Sequence, residues 1–376
     1  MSAPVHDFAV LGGGLAGRLL AWRLAGMGHR VALYERGPAD GSESAAWVAA
    51  AMLAPLAEAA SAELLLTELG AASLQTWPRW LAELPEPVFF QRNGTLVLWH
   101  QADRAEAPLF ERRVQANAPA ELVARGWQRL DAQGIEESEP VLAGRFARGL
   151  LLPDEGQLDN RQVLSAVAAG LIERGVETHW HTDIGATPPA ARVTIDCRGL
   201  GAKPALPTLR GIRGEVARVH APGIGLRRPV RLLHPRYPLY IAPKQNDLYV
   251  VGATEIEGED RSPVSVRSAL ELLSAMFSVH PAFGEARILE FNTQCRPTLP
   301  DHRPALIWRG GPWLALNGLY RHGFMIAPEV VDSAAQLAAA LLDGRVRDAE
   351  GWAEWRAGAR WPELLRYEAQ DASLVS

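Results

Sequence analysis

The sequence predicts an α/β protein of two domains. One is a parallel-sheet domain assembled from separated segments; the other is an antiparallel sheet inserted into it. Three observations carry this reading. The chain has 376 residues, more than a single core comfortably accommodates. It opens on a strand, a glycine turn, a helix and a second strand. Its middle holds strand-rich stretches that break the helix–strand alternation.

The opening unit is the most specific of these. Phe8 to Leu11 is an apolar strand, and Gly12, Gly14 and Gly17 follow it as G-x-G-x-x-G. Ala16, Leu20, Leu24 and Met27 then recur at helical spacing up to Gly28, a natural stop. Val31 to Tyr34 is the second strand, and Glu35 stands at its tip. Each glycine has a physical task. Gly12 permits the tight turn, Gly14 lets backbone approach a pyrophosphate, and Gly17 lets helix and strand pack closely. The helix start, at Leu15 and Ala16, offers unpaired N–H groups and the positive end of a dipole. Glu35 can accept from both ribose hydroxyls, which argues against a 2′-phosphate; Arg36 beside it joins the expected cofactor contacts. The unit reads as a Rossmann dinucleotide site. The motif alone leaves FAD and NAD open, and its place at the start of the chain resembles the glutathione-reductase-like flavoproteins.

Composition narrows the function classes. The formal charge is −5 with a pI near 6.1, which gives no basic footprint for nucleic acid. Cys197 and Cys295 are the only cysteines, too few and too far apart for a disulfide scaffold or a metal site. The most membrane-like stretch, Ala45 to Ala60, is alanine-rich, broken by Pro55 and too short to span a bilayer. No signal-peptide pattern precedes the first strand. A cytoplasmic protein that binds neither nucleic acid, metal nor membrane is expected.

Downstream segments resemble one family. Ser44-Ala-Ala-Trp-Val-Ala-Ala-Ala-Met-Leu-Ala-Pro55 is a run of small residues that lets backbone lie against something flat and bulky. It resembles the A-A-A-G-M-L-A-P segment of glycine oxidases in the D-amino acid oxidase superfamily. Gln157-Leu-Asp-Asn-Arg161, Tyr240-Ile-Ala-Pro243 with Val250-Val-Gly-Ala-Thr-Glu255, Cys295-Arg-Pro-Thr-Leu-Pro-Asp301, and Gly318-Leu-Tyr-Arg-His-Gly-Phe-Met-Ile-Ala-Pro328 resemble further elements in the same order. The chain departs from the family at Ala51, where the family has glycine, and at Leu319-Tyr320.

The resemblance implies non-covalent FAD and oxidation of a small amino acid, glycine first, to its imine. Oxygen would be the acceptor and peroxide the by-product, the imine feeding thiamine thiazole formation. A D-amino acid or N-methyl amino acid oxidase or dehydrogenase, or a flavin-binding accessory protein without turnover, stays open. So does a homo-oligomer. It also implies the site. Arg296 would anchor the substrate carboxylate through its planar fork, with Tyr240 assisting and Arg321 as a second arginine. Ala51 would border the substrate. Ala50, Met52, Gly199, Gly323, Phe324, Met325 and Ile326 would join Gly12, Gly14, Leu15, Ala16, Gly17, Glu35 and Arg36 around FAD. No acid or base is nominated, because hydride transfer from a neutral amine needs none; the hard chemistry is the cofactor's.

In this reading residues 1–80, 145–205 and 301–376 form the FAD-binding domain, and 81–144 with 206–300 form the substrate domain. Val88 to Trp99, turning at Asn93-Gly94, reads as a hairpin, and Leu239 to Ala242 with Leu248 to Ala253 as another. Strands are expected near 177–181 and 193–196, a helix at 331–342, and a surface-packed helix and coil around Trp352, Trp355 and Trp361.

Overall fold

A computed structural model describes residues 6–185, 189–235 and 238–368. The fold is α/β. Its first sheet has seven strands, in the order Leu365–Tyr367, Ala305–Trp308, Trp313–Asn317, Ala191–Asp196, His6–Leu11, Val31–Tyr34 and Glu177–His179. The interior strand His6–Leu11 pairs in parallel on both sides, and Phe8 and Val10 are fully buried. A strand covered on both faces must be apolar at successive positions, as Phe8-Ala-Val-Leu11 is. The helices Leu15–Gly26, Leu64–Ala82, Asn160–Glu173 and Gly323–Leu342 complete the largest core, around Trp22, Leu69, Trp77 and Val330.

The second sheet runs Ile256–Glu257, Arg210–His220, Leu248–Gly252, Leu239–Pro243, Val230–Leu233, Thr95–Trp99, Arg148–Leu152 and Gln128–Asp131, with Arg287–Thr298 also on Arg210–His220. It is antiparallel except at Thr95–Trp99 beside Val230–Leu233, a parallel pair. Those two strands come from different stretches of chain, so no hairpin dictates their sense. The helix Val266–Val279 covers one face through Leu272, Met276 and Val279. Three short strands, Met52–Leu53, Gly156–Leu158 and Phe90–Gln91, form a third sheet.

Several expectations are corrected. The hairpin at 88–99 does not form: Phe90–Gln91 pairs with Gly156–Leu158, while Thr95–Trp99 pairs with Arg148–Leu152. Gly94 is indeed a turn residue at φ +88°, and a Cβ there would stand 2.8 Å from the Leu152 carbonyl oxygen. The glycine serves a crossing of chains between two sheets. Arg148–Leu152 belongs to the second sheet, so the return to the first sheet starts near Asn160 and not at 145. The 81–144 segment holds three helices, Glu106–Asn117, Ala120–Arg125 and Ala132–Ser138, beside its strands. The last long helix begins at Gly323 and contains Pro328. Proline supplies no N–H to the carbonyl four residues back; that carbonyl, of Phe324, accepts from Trp77 Nε1 at 2.8 Å. Among the described residues this helix, from Tyr320, is the one long and apolar enough to cross a membrane, yet 67% of that window lies inside the protein. The tail adds a strand, Leu365–Tyr367, and Trp352 is buried against Trp308 at 5.4 Å between ring centres. The hairpin Leu239–Pro243 with Leu248–Gly252 forms, turning through Asn246 and Asp247 at φ 58° and 54°, residue types that tolerate the left-handed region.

Candidate active site

A cavity of about 1590 Å³ is lined by residues of both large sheets. At one end lies the glycine turn. A Cβ on Gly12 would stand 2.7 Å from the Cys197 backbone, and one on Gly17 only 1.8 Å from the Gly12 carbonyl oxygen. Both glycines are required by the protein's own packing. Gly14 differs: a Cβ there would come no closer than 4.0 Å to anything, and Gly14 borders the cavity. The open space before the start of the helix Leu15–Gly26 is where a phosphate fits. Glu35 accepts from the backbone N–H groups of Gly13, at 2.5 Å, and Gly37, at 2.7 Å, and it too lines the cavity with Arg36. Gly199, at φ +54°, lines the same end and accepts from Asn317 Nδ2 through its carbonyl. Arg18, unremarked in the sequence, is 1% exposed and ties the Gly13, Ala39 and Leu164 carbonyls together. Burial pushes its guanidinium down to about 10, against the pull of Glu35 and Asp40.

The small-residue run from 44 to 52 lines the cavity. Asn160 Nδ2 donates to the carbonyls of Ala46 and Trp47, Leu158 N–H to that of Ala51, and Lys244 Nζ to that of Ala50. Glu155 accepts from the Ala57 N–H at 2.7 Å. Ala50, Ala51 and Met52 all line the cavity. Ala51 sits at φ +52°; the family's glycine at this position therefore has a backbone reason as well as a steric one. Gly323, Phe324 and Met325 line the cavity at the start of their helix. Ile326 does not: it is fully buried in the first core, because the helix begins at once and turns that residue inward. Gly17 also packs inside, against Gly12.

At the far end Arg296, Tyr240 and Arg321 come together. Arg296 projects from the strand Arg287–Thr298, and its Nη1 donates to the carbonyls of Thr254 at 3.2 Å and Arg213 at 3.5 Å. Gly214 makes room for it: a Cβ at 214 would stand 2.2 Å from Arg296 Cζ. Gly252 does the same for Tyr240, whose hydroxyl oxygen would lie 2.8 Å from a Cβ there. Burial pushes the Tyr240 phenol up, Arg296 pulling the other way.

Arg321 is committed elsewhere. It donates to Glu255 at 3.1 Å and Ser61 Oγ at 2.6 Å, and lies 3.4 Å from Glu58. Glu58 also pairs with Arg231 at 2.8 Å and sits 3.2 Å from His322 Nε2. Burial opposes ionisation of Glu58, but Arg321, Arg231 and His322 together hold it well below the usual carboxylate range. Burial pushes His322 down, its bond to Glu58 opposing. Tyr320, at φ +49°, donates to Glu255. Among the described residues, Arg231 and Arg321 have carboxylate partners within ion-pair distance and Arg296 has none.

Glu58, Arg231 and the role of Glu255 were missed from sequence. Glu58 had a signal: it is the sole charged residue in the alanine-rich stretch 45–62. Arg231 lies on an ordinary strand and had none.

A profile of the FAD dependent oxidoreductase family matches residues 7–337. The chain belongs to this family. It is therefore an oxidoreductase that uses FAD, and the open space before Gly14 and the bare run at 44–55 fit that group. A Rhizobium etli protein described as a thiamine biosynthesis oxidoreductase, ThiO, is 41% identical over 327 residues, covering 87% of this chain and 94% of that protein. The glycine oxidase of Geobacillus kaustophilus is 26% identical over 350 residues, covering 86% and 90%. The structure of glycine oxidase from Bacillus cereus superposes with a TM-score of 0.75 at 21% identity, over 91% of this chain and 96% of that one; that likeness is one of fold.

Proposed function

We propose that this oxidoreductase oxidises glycine to its imine with oxygen as acceptor, yielding peroxide, and that the imine feeds thiamine thiazole formation. The observation that carries the reading is Arg296, a guanidinium in the cavity beside Tyr240 whose hydrogen-bond partners among the described residues are backbone carbonyls. The family and the relatives described as ThiO and glycine oxidase point the same way. In this reading the seven-stranded sheet is a glutathione-reductase-like FAD domain, and the nine-stranded sheet is the inserted substrate domain. Bound FAD supplies the hydride acceptor. Arg296 holds the substrate carboxylate through two parallel N–H donors, and the Tyr240 hydroxyl donates to the same group. This fixes the α-carbon, and the neutral amine requires no protein base. The helix start at Gly323, which lines the cavity, would offer its N–H dipoles to bound FAD and favour the negative charge that reduction brings.

The test is anaerobic addition of glycine to the yellow holoenzyme, with D-alanine, sarcosine and proline in parallel. Glycine should bleach the flavin fastest. Preference for sarcosine or a D-amino acid replaces glycine by that substrate, and no bleaching by any of them removes the oxidase reading. Arg296→Ala should lower kcat/KM by about 2–5 kcal/mol, with Arg296→Lys intermediate because it keeps charge and loses the fork. FAD should stay bound in both.

A further inference from the structure

Lys244 follows the strand Leu239–Pro243, away from the cavity, and is 7% exposed. Its Nζ donates to the Ala50 carbonyl at 2.8 Å, the Leu158 carbonyl at 2.8 Å and Gln157 Oε1 at 3.0 Å. An ammonium has three protons, and here all three are used on neutral acceptors. The acid that acts on it, Asp159, accepts from the Arg161 and Gln162 N–H groups and faces Arg218 at 3.9 Å. A buried ammonium without a close counter-charge is costly; burial pushes Lys244 down to about 7. Packing alone would be better served by an apolar side chain.

What the ammonium grips gives it a purpose. The Ala50 carbonyl immediately precedes Ala51, which holds φ +52° without being glycine. The next carbonyl, of Ala51, accepts from Leu158 N–H at 3.1 Å. Lys244 and Leu158 thus tie two successive peptide groups of the turn to the strand Gly156–Leu158. A non-glycine residue stays in this region only where its surroundings over-determine it. Ala50, Ala51 and Met52 border the cavity, whereas Lys244 stands behind them.

We propose that Lys244 is the positioning residue that clamps the 50–52 turn in its left-handed form and thereby sets the surface this segment presents to the flavin ring. The inference rests on the reading that this segment borders the ring. It predicts that a residue free to adopt the left-handed form unaided makes the clamp dispensable. Glycine at 51 is that residue.

The experiment is a double-mutant cycle of Lys244→Met and Ala51→Gly, read by titrating each apoprotein with FAD and by the bound flavin's absorbance spectrum. Lys244→Met should weaken FAD by about 10- to 100-fold, the range for one hydrogen bond to a charged group, and shift the spectrum. Ala51→Gly alone is the reference arm, and whatever change in FAD affinity it produces by itself is subtracted in the cycle. In the double variant Ala51→Gly should recover most of the loss and return the spectrum toward wild type. A lysine that merely supports the fold would give additive effects with no recovery, and that result, or an unchanged FAD affinity in Lys244→Met, overturns the proposal. Should Lys244→Met be insoluble, the double variant decides: soluble and FAD-binding supports the clamp, insoluble overturns it. Glycine bleaching of the wild type tests the substrate reading separately, since the FAD titration does not depend on which amine is oxidised.

Discussion

Gly214→Ala tests the carboxylate anchor without touching a charged residue. Gly214 lies in the strand Arg210–His220 opposite Gln294, outside the left-handed backbone region, so alanine is tolerated by the chain itself. The new methyl would stand 2.2 Å from Cζ and Nη2 of Arg296 and 2.4 Å from Nη1. Ordinary carbon contacts begin near about 3.5 Å, so the guanidinium must leave its place by more than about 1 Å. A misplacement of that size costs on the order of 10²-fold in rate, or about 2.7 kcal/mol at about 1.36 kcal/mol per decade. The assay is kcat/KM for glycine by peroxide release, with FAD affinity and thermal melting measured on the same protein. The expected result is a loss of that order with FAD affinity unchanged and melting little affected. An amine without a carboxylate should be a poor substrate of both forms, and equally so. Wild-type kcat/KM in Gly214→Ala would place the anchor elsewhere, with Arg321 the next arginine to examine. Loss of flavin would show instead that the strand, and not the guanidinium, had been disturbed.

Glu35→Ala removes the acceptor for the Gly13 and Gly37 N–H groups and the expected ribose contact; FAD affinity should fall by about 1.5–3 kcal/mol for each charged hydrogen bond lost, and retained wild-type affinity would refute the ribose assignment. Glu155→Gln should change how stability depends on pH. Burial raises the Glu155 carboxyl from 4.5 to about 7, so the stability it contributes is full below about 4.5 and is lost as pH rises through about 7, roughly 3 kcal/mol in all. Urea unfolding at pH 5 and pH 7.5 should show that loss in wild type and a flatter profile in the glutamine variant; parallel profiles would mean that Glu155 titrates normally.

The first βαβ was legible because its causes are local. A turn, an apolar run and an acid at fixed spacing leave few alternatives, and Gly12, Gly17 and Glu35 stand where their spacing put them. Asn93-Gly94 misled for the opposite reason. The dipeptide does favour a turn, but whether the flanking strands pair with each other depends on Gly156–Leu158 and Arg148–Leu152, some sixty residues away. The helix expected at 331–342 begins at Gly323 and runs through Pro328, a breaker by local rules; a tryptophan indole from another helix satisfies the carbonyl that proline leaves open, and no local pattern carries that information. The site followed the same division. Arg296 and Tyr240 were visible in family motifs, while Arg231 becomes meaningful only beside Glu58. Gly214 and Gly252 looked like ordinary strand glycines until the side chains lying over them were known.

If Arg296 anchors the substrate as proposed, the charges around it form a balance that suits an amino acid better than an amine. Glu58 and Glu255 carry two negative charges, and Arg231 and Arg321 carry two positive ones against them. Burial works against ionisation of Glu255, but the Tyr320 hydroxyl and Arg321 hold its carboxyl below the usual range. His322 is pushed toward its neutral form by burial. These four pair with one another, and among the described residues Arg296 has no carboxylate within ion-pair distance, although its charge also helps to hold Glu255 ionised. A zwitterionic substrate entering this end finds a partner for its carboxylate at Arg296. Its ammonium finds no free carboxylate, because both acids are already engaged. An ammonium held by an unpaired acid would keep its proton and could not release hydride from the α-carbon. An ammonium given no such partner loses its proton at less cost, and the amine is then left in the form that oxidation requires. On this reading Arg321 and Arg231 serve the reaction by occupying Glu58 and Glu255, which is why the second arginine of the motif need not touch the substrate to matter.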